Sequence, residues 1–265
     1  MELTDRVIVI TGGASGIGEA LARRFANDSP AAIVVADIDL AGAEAVAASI
    51  GPIATARRCD VSDGAAIAAL IAEVVAQHGR IDLYCSNAGI ATGKGVEADD
   101  ATWQSIWDIN LMANVHAARA LMPLAEPDAP VHLMITASAA GLLINLGDAA
   151  YTATKHAAVG LAEWLAVTHG DAGLKVSCLC PQGVRTPMVM AGLGDNQLAA
   201  NVVEAMGLIE PEQCAETVVE ALADERFLIL PHPEVAKYQR AKVEGPDRWI
   251  ATMRGLQARL LGTDR

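Results

Sequence analysis

A tyrosine and a lysine stand four residues apart in the segment YTATKHAAVGLAEWLA, residues 151–166. The apolar residues of this segment recur at helical spacing, which places Tyr151 and Lys155 one turn apart on the same side of a helix. A phenol can act as an acid or a base, but its reference pKa of about 10 is too high for a base at neutral pH. A nearby ammonium group favours the phenolate, so the pair indicates proton transfer. Taken alone, the same pair is also typical of a solvated helix surface.

A glycine-rich turn near the N-terminus is typical of a phosphate-binding site. The segment TGGASGIG follows an apolar strand pattern and opens a helical one, with Gly12, Gly16 and Gly18 at the turn. Glycines let the backbone approach a ligand closely, and a helix N-terminus offers unpaired N–H groups to a pyrophosphate. Close packing of a strand against a helix would use the same glycines, so the triplet needs support from elsewhere in the chain.

An acidic residue gives that support. Asp37 ends the second predicted strand, 19 residues after the last of these glycines, where a carboxylate would bind an adenosine ribose and repel a 2′-phosphate. Neither Ser15 nor Ile38 supplies a cation for such a phosphate. Arg57 and Arg58 leave room for NADP, but the acid favours NAD as the cofactor. A loop or N-cap role for the acid, and a site for S-adenosylmethionine, are alternatives at this point.

The segments between these motifs predict the elements that position them. Seven short β-branched runs alternate with helical patterns, which is typical of a parallel sheet with helices on both faces. We therefore expect an α/β fold of the Rossmann type, a doubly wound sheet of about seven parallel strands. No linker divides the chain, so residues 1–265 are predicted to form one domain with a helical tail at 233–265. The predicted strands are RVIVI, AAIVVAD, IATARRC, IDLYCS, VHLMIT, LKVSCLC and RFLIL.

The composition argues against several classes of partner. The net charge is -13 without a cluster of Lys and Arg, which disfavours nucleic acid and anionic lipid surfaces. Polar residues interrupt the longest uncharged stretch, 129–147, so a membrane span is not expected. The five cysteines include no CxxC pair and the six histidines show no ligand spacing, which predicts free thiols and no metal. The start MELTDRVIVI does not fit a secretory signal, and we expect a cytoplasmic protein.

Taken together, the motifs resemble those of the short-chain dehydrogenase/reductase family, over about residues 5–230. The glycine turn matches the form TGxxxGxG, CDVSD resembles the segment that faces the adenine, and SNAGI resembles the NNAG motif after the fourth strand. PQGVRT departs from the usual Pro-Gly-x-Val-x-Thr, because Gln182 occupies the position of the glycine. The cofactor-binding residues that the resemblance implies are Gly12, Ser15, Gly16, Ile17, Gly18, Asp37, Asp60, Val61, Asn87, Ala88, Gly89, Tyr151, Lys155, Val184 and Thr186.

The resemblance also implies four catalytic residues, which are Asn110 in DINL, Ser138 in TASAAG, Tyr151 and Lys155. Tyr151 would exchange a proton with the substrate oxygen, and Ser138 would donate a hydrogen bond to that oxygen. Lys155 would hold the nicotinamide ribose and favour the phenolate, while Asn110 would hold a water that relays the proton. A lone Ser or Asn in these places is usually a capping or buried residue; the family order of all four carries the inference.

The function expected from these residues is NAD-dependent oxidoreduction that interconverts a secondary alcohol and a ketone by hydride transfer. Apolar segments near the site favour a substrate with an apolar body, although the same side chains would also serve as core or subunit contacts. The resemblance alone implies a homo-oligomer, a dimer or a tetramer. A 3-oxoacyl thioester reductase and a nucleotide-sensing protein without catalysis are the alternatives. The apolar residues concerned are Leu142, Leu143, Ile144, Met188, Met190 and Leu193.

Overall fold

One parallel sheet forms the centre of the computed structural model, which describes residues 1–195, 198, 201 and 207–263. Its strand order is β3-β2-β1-β4-β5-β6-β7, and every neighbouring pair is parallel. The predicted seven-stranded α/β fold is therefore confirmed, and each strand falls within or overlaps its predicted run. The strands are β1 (Val7–Thr11), β2 (Ala32–Asp37), β3 (Ala54–Arg58), β4 (Leu83–Ser86), β5 (Val131–Thr136), β6 (Leu174–Leu179) and β7 (Leu228–Ile229).

Helices cover both faces of the sheet. In the described ranges they are α1 (Gly16–Phe25), α2 (Leu40–Ile50), α3 (Gly64–His78), α4 (Asp100–Trp107), α5 (Ala113–Leu121), α6 (Ala149–His169), α7 (Pro187–Asp195), α8 (Pro211–Ala223), α9 (Glu234–Glu244) and α10 (Pro246–Leu260). Successive side chains of a strand point to opposite faces, so Val7 and Val9 enter one core while Ile8 and Ile10 enter the other. Helices α3, α5 and α6 pack on the first face, and α1, α2 and α8 on the second.

The chain reverses its direction across the sheet between β1 and β4. From β1 it proceeds outward to β2 and β3, and from β4 it proceeds the opposite way to β5, β6 and β7. Connections from the two central strands therefore diverge and leave a crevice beyond their carboxyl ends. Open α/β sheets bind ligands at such a point, and the glycine turn between β1 and α1 lies there.

The C-terminal tail contains two helices, α9 and α10, separated at Gly245. Pro246 occupies the first position of α10. A backbone N–H at that position has no acceptor within the helix, so proline is tolerated there. Residues 264–265 lie outside the described residues. One face of α10 carries Trp249, Met253, Leu256 and Leu260, all of them half-buried, and Trp249 packs against the core.

Membrane-spanning helices and metal clusters are both absent from the described residues. None of their helices combines the length and the apolar character that a bilayer span requires. No group of three or more His, Cys, Asp or Glu side chains in the same ranges could hold a metal ion. All five cysteines are buried as free thiols.

Candidate active site

A cleft of about 370 Å³ opens at the carboxyl ends of the central strands. It contains every residue of the predicted site except Gly18 and Asn110, although these residues come from seven separate segments of the chain. The predicted residues that line it are Gly12, Ser15, Gly16, Ile17, Asp37, Asp60, Val61, Asn87, Ala88, Gly89, Ser138, Tyr151, Lys155, Val184 and Thr186.

The glycine turn shapes one wall of this cleft. Gly12 has a φ of +65°, and a Cβ there would lie 2.8 Å from the Cα of Ala88. Gly16 has a φ of +57°, and its Cβ would lie 3.0 Å from Cγ2 of Thr186. Side chains at either position would be strained and would fill the space beside the N-terminus of α1. Gly18 serves packing instead, because its Cβ would meet the carbonyl oxygen of Gly12 at 2.1 Å.

Asp37 lies at the end of β2 and is held by the backbone. Its Oδ2 accepts a hydrogen bond from the N–H of Ala14 at 3.0 Å, and its Oδ1 accepts one from the N–H of Asp39 at 3.0 Å. A carboxylate offers about four acceptor positions, so two remain for the hydroxyls of a ribose. The contact with Ala14 also ties the acid to the glycine turn.

The charged residues that line this end of the cleft are the acids Asp37 and Asp60. Arg58 does not line it but lies opposite Asp37 on the neighbouring strand β3. Of the described residues that line the cleft, Lys155 is the one cation, and it lies at the opposite end. Arg57 points elsewhere, because its Nε pairs with Oε1 of Glu73 at 2.6 Å. Hydrogen bonds from the Ser62 hydroxyl and backbone hold the pKa of Asp60 below its usual value. A 2′-phosphate would meet two carboxylates here.

Asn87 braces the turn from the end of β4. Its Nδ2 donates to the carbonyl oxygens of Thr11 and Gly12 at 3.1 and 3.3 Å, and its Oδ1 accepts from the hydroxyl of Thr136 at 3.1 Å. The amide thus connects β1 and β5 across β4. Asn87 supports the shape of the turn through these bonds, while the backbone that follows it forms part of the wall.

Helix α6 delivers Tyr151 and Lys155 to the opposite end of the cleft. Asp148 caps the helix, because its Oδ1 accepts from the N–H of Tyr151 at 2.9 Å. Lys155 is only 3% exposed, and its Nζ donates to the carbonyl oxygen of Thr136 at 2.9 Å. The same nitrogen lies 5.5 Å from the centroid of the Tyr151 ring. Burial lowers the pKa of Lys155 to about 8.

The effect of Lys155 on the phenol of Tyr151 stays a prediction, and the structure shows other influences on the pKa of Tyr151. Burial raises the pKa of Tyr151 above its ordinary value, the Ser138 hydroxyl opposes this effect, and the charge of Asp148 adds to it. Tyr151 is therefore a protonated phenol at neutral pH.

Ser138 follows β5 and begins a 3₁₀ turn, Ala139–Gly141. Its Oγ accepts from the N–H of Ala140 at 3.1 Å and lies 3.4 Å from the carbonyl oxygen of Pro181, to which it donates. The residue is 8% exposed and lines the cleft. The capping bond fixes the hydroxyl where it influences the phenol of Tyr151.

Asn110 does not line the cleft but lies behind Gly89, in a π-helical turn between α4 and α5. Its Oδ1 accepts from the N–H of Ile90 and its Nδ2 donates to the carbonyl of Ile90, both at 2.9 Å. A Cβ on Gly89 would lie 3.2 Å from Oδ1 of Asn110 and 3.4 Å from Nζ of Lys155. Gly89 thus leaves a gap between the amide and the ammonium group. Single π turns inside helices occur often at functional sites.

The wall of the cleft differs in part from the residues predicted for it. Leu142 and Leu143 are core residues and do not line the cleft, because the 3₁₀ turn after Ser138 rotates them inward. Ile144 and Met190 do not line it either. Of the six apolar residues predicted near the substrate, Met188 lines the cleft, and the side chain of Leu193 lies outside the described residues. The missed lining residues lie within three positions of predicted ones: Ile38, Cys59, Ile90, Ile109, Thr136, Ala137, Pro181, Gln182, Pro187 and Val189.

A histidine supports the turn that departs from the family pattern. The Nδ1 of His232 accepts from the N–H of Gln182 at 3.1 Å, so its Nε2 carries the proton and donates to the carbonyl of Gly183 at 3.2 Å. Burial lowers the pKa of His232, which favours this neutral form. The segment PHP after β7 therefore holds the turn at Gln182 and Gly183 through the His232 side chain. The residues of PQGVRT alone give no sign of this contact.

The fold and cleft are those of a dinucleotide-binding α/β protein, with a tyrosine and a buried lysine side by side in the ligand cleft. The family model described as short chain dehydrogenase matches residues 6–196, about seven tenths of the chain. The chain therefore belongs to the short-chain dehydrogenase/reductase family, whose members are oxidoreductases that bind a nicotinamide cofactor.

Two curated relatives illustrate the likeness over most of the chain. The 1-deoxy-11-beta-hydroxypentalenate dehydrogenase of Streptomyces avermitilis is 35% identical over 243 residues, which cover 88% of this chain and 87% of that protein. The 3beta-hydroxysteroid dehydrogenase of Mediterraneibacter gnavus is 31% identical over 207 residues, which cover 77% of this chain and 75% of that protein. Both relatives are dehydrogenases named for hydroxylated small molecules.

Two solved structures share the fold. A short-chain dehydrogenase/reductase from Burkholderia phymatum in complex with NAD has a TM-score of 0.84 and 30% identity, over 93% of this chain and 96% of that one. A 3-ketoacyl-(acyl-carrier-protein) reductase from Brucella melitensis complexed with NADH has a TM-score of 0.77 and 27% identity, over 86% of this chain and 95% of that one.

Proposed function

We propose that this protein is an NAD-dependent oxidoreductase that interconverts a secondary alcohol and a ketone. The observation that carries the proposal is one cleft with Ser138, Tyr151 and Lys155 at one end and Asp37 at the other. The membership of the family and the dehydrogenase names of the relatives support the reaction class. The NAD in the solved structure from Burkholderia phymatum supports the choice of cofactor.

The residues of the cleft fit a dinucleotide. Gly12 and Gly16 leave room beside the N-terminus of α1 for a pyrophosphate, and Asp37 has acceptor positions left for a ribose. Thr186 lies against the turn and would contact the nicotinamide end, while Asp60 and Val61 would border the adenine. When bound, the nicotinamide accepts or supplies the hydride.

Tyr151 would exchange the proton with the substrate oxygen. Its raised pKa keeps it protonated at neutral pH, which is the form that donates a proton to a carbonyl. Oxidation of an alcohol requires the phenolate, and the positive charges of Lys155 and of an oxidised nicotinamide ring would favour it. The hydroxyl of Ser138, held by its capping bond, would donate to the same substrate oxygen and stabilise the charge that develops there.

Lys155 and Asn110 would return the proton to solvent. The gap that Gly89 leaves between them can accommodate a polar relay, and Lys155 already satisfies one proton with the carbonyl of Thr136. A pKa of about 8 lets this ammonium group lose and regain a proton near neutral pH. The buried position of Asn110 keeps its amide fixed on the backbone of Ile90 during this exchange.

The substrate is expected to have an apolar body. Ile90, Ile109, Met188 and Val189 line the cleft on the side of Tyr151 and supply apolar contacts. Within the described part of that wall, no second cation accompanies Lys155 to bind a carboxylate or a phosphate. The hydroxylated substrates in the names of the two relatives agree with an alcohol of this kind.

A 3-oxoacyl thioester reductase is the second candidate, and the solved structure from Brucella melitensis favours it. Its reaction would use the same Ser138, Tyr151 and Lys155, so the site alone does not separate the two. A nucleotide-sensing protein without catalysis is a weaker alternative, because it would not require these side chains to converge. We also propose that the protein is cytoplasmic and forms a homo-oligomer. Trp107 on α4 and Trp164 and Val167 on α6 are exposed apolar side chains that subunit contacts could cover. A monomer mass by light scattering would contradict the oligomer.

The test is turnover of a panel of cyclic secondary alcohols, their ketones and a 3-oxoacyl thioester with each cofactor, followed by the absorbance of the reduced cofactor. We expect kcat/KM to be at least about tenfold higher with NAD than with NADP, and Asp37→Ser to reduce that ratio. Asp39→Ser, on the neighbouring exposed residue, is the matched control and should leave the ratio near that of the unmodified protein. Binding of NAD without turnover on the whole panel would favour the sensor.

A further inference from the structure

The ammonium group of Lys242 joins the C-terminal helix α9 to two segments that carry residues of the active site. Its Nζ lies 2.8 Å from the carbonyl oxygen of Leu142, 3.1 Å from that of Leu143 and 3.2 Å from Nε2 of His156. The leucines follow the 3₁₀ turn that begins at Ser138, and His156 adjoins the predicted catalytic lysine on α6. Lys242 also lies 5.2 Å from the centroid of the Trp249 ring on α10.

These three contacts use all of the donors of the ammonium group. The Nδ1 of His156 lies 2.9 Å from the carbonyl oxygen of Thr152, so Nδ1 carries a proton and donates it. The neutral ring then presents the lone pair of Nε2 to Lys242. The three protons of the ammonium group thus meet three acceptors, which are the two carbonyl oxygens and this nitrogen. Burial lowers the pKa of Lys242. A half-buried, fully paired lysine differs from the solvated lysine that an exposed tail would carry.

The two carbonyls belong to the end of the turn that Ser138 begins. The last carbonyls of a helical turn have no partner within it, and a cation placed there satisfies them. At the beginning of the same turn, the hydroxyl oxygen of Ser138 accepts a hydrogen bond from the N–H of Ala140. Beneath the turn, Gly141 lies directly on α6, because a Cβ there would be 2.4 Å from the carbonyl oxygen of Lys155. Any movement of this short turn therefore moves Ser138 relative to α6.

We propose that Lys242 is a positioning residue for the active site: it locks the end of the 3₁₀ turn onto α6 and so holds the Ser138 hydroxyl in register with Tyr151. The proposal rests on the proposed function. It gives the C-terminal helices a part in the reaction, although the family motifs end before them. Lys242 acts through the turn and does not line the cleft.

The test compares Lys242→Met with Lys237→Met, the same change at an exposed position of the same helix. Methionine keeps an apolar stem and removes the three donors. For Lys242→Met we expect kcat per folded molecule to fall about 10- to 100-fold, the effect of a small displacement of a reacting group. The dissociation constant of NAD and the KM of the alcohol should stay within about twofold of those of Lys237→Met. Lys242→Arg, which can still bridge the carbonyls, should recover part of kcat.

Hydrogen exchange supplies a readout that does not depend on turnover. The N–H groups of Leu142 and Leu143 both bond to the carbonyl of Ala139, at 3.0 and 2.8 Å, so loosening of the turn should speed their exchange in Lys242→Met. A Lys242→Met protein with unchanged kcat, or with unchanged exchange at Leu142 and Leu143, overturns the proposal. If that variant does not fold, His156→Ala removes one of the three acceptors and should lower kcat several-fold; an unchanged kcat there also overturns it.

Failure of the proposed function and failure of the positioning role of Lys242 can be distinguished. Absence of turnover in the unmodified protein refutes the proposed function, and the exchange rates at Leu142 and Leu143 then decide the role of Lys242. Turnover that Lys242→Met leaves unchanged refutes the positioning role and leaves the proposed function standing. A rise in the KM of the alcohol with constant kcat would show that Lys242 shapes the substrate pocket, and this result also contradicts the proposal.

Discussion

Replacing Asp148 by asparagine tests how the first turn of α6, the helix that carries Tyr151 and Lys155, is held against the loop at residues 92–93. The buried carboxylate accepts from the N–H groups of Thr92 and Gly93 at 2.7 Å, from the hydroxyl of Thr92 at 2.7 Å and from the N–H of Tyr151 at 2.9 Å. It thereby ties residues 92–93 to the first turn of α6. The charge of Asp148 also raises the pKa of Tyr151.

The expected loss follows from the number of acceptors. An amide has one oxygen, so at least one of these N–H groups must face the NH₂ of the replacement side chain without an acceptor. An unsatisfied buried donor costs about 1–3 kcal/mol, and the other bonds lose an ionised partner. We therefore expect Asp148→Asn to reduce the free energy of unfolding by about 2–4 kcal/mol. Because a negative charge near Tyr151 is removed, the pKa of Tyr151 should fall.

Urea denaturation measures the first effect and the pH profile of alcohol oxidation measures the second. Oxidation needs the phenolate, so the half-maximal rate should move to lower pH in Asp148→Asn. Asp99→Asn is the control, because Asp99 caps α4 through one exposed bond to Thr102 that an amide oxygen can also accept. Equal stability of the two variants, or a pH profile that moves upward, would refute the reasoning.

Two further predictions concern the glycine turn and the buried lysine. Gly12→Ala should weaken NAD binding and destabilise the fold by about 2–4 kcal/mol, from its positive φ and the 2.8 Å contact with Ala88. Gly160→Ala, on an open face of α6, should instead stabilise by about 0.5–1 kcal/mol; similar urea midpoints for both would count against the strain argument. Folding lowers the pKa of Lys155 to about 8, so between about pH 8 and 10 the unfolded chain binds more protons and stability rises with pH. The free energy of unfolding of the unmodified protein should therefore rise relative to that of Lys155→Met from about pH 7 to 9.5. A difference between the two proteins in urea denaturation that stays constant over this pH range would disprove the prediction.

Local patterns were enough to predict the sheet. Each strand is a short apolar run with turn residues at its ends, and alternation with helices leaves few possible topologies. The carboxyl ends of parallel strands meet at one edge, so the motifs that follow β1, β2, β4 and β5 converge there. This explains why Gly12, Asp37 and Ser138 share a cleft although they are distant in the chain.

Contacts between distant segments could not be predicted in this way. Lys242 meets Leu142 across 100 positions, and Asp148 meets Thr92 across 56, with no spacing in the sequence that relates them. The raised pKa of Tyr151 could not be predicted from the sequence, because burial depends on the packing around the finished site. The inward rotation of Leu142 was missed because a 3₁₀ turn changes the side-chain period after a strand.

The most direct test of the proposed chemistry is Tyr151→Phe, which removes the phenolic hydroxyl and keeps the ring. Turnover of an alcohol that the unmodified protein oxidises with NAD should fall by a factor of about 10²–10⁴, the usual contribution of a general acid or base. The dissociation constant of NAD should change less than about threefold, because Gly12, Gly16 and Asp37 remain in place. A Tyr151→Phe protein that keeps most of its turnover would contradict the account.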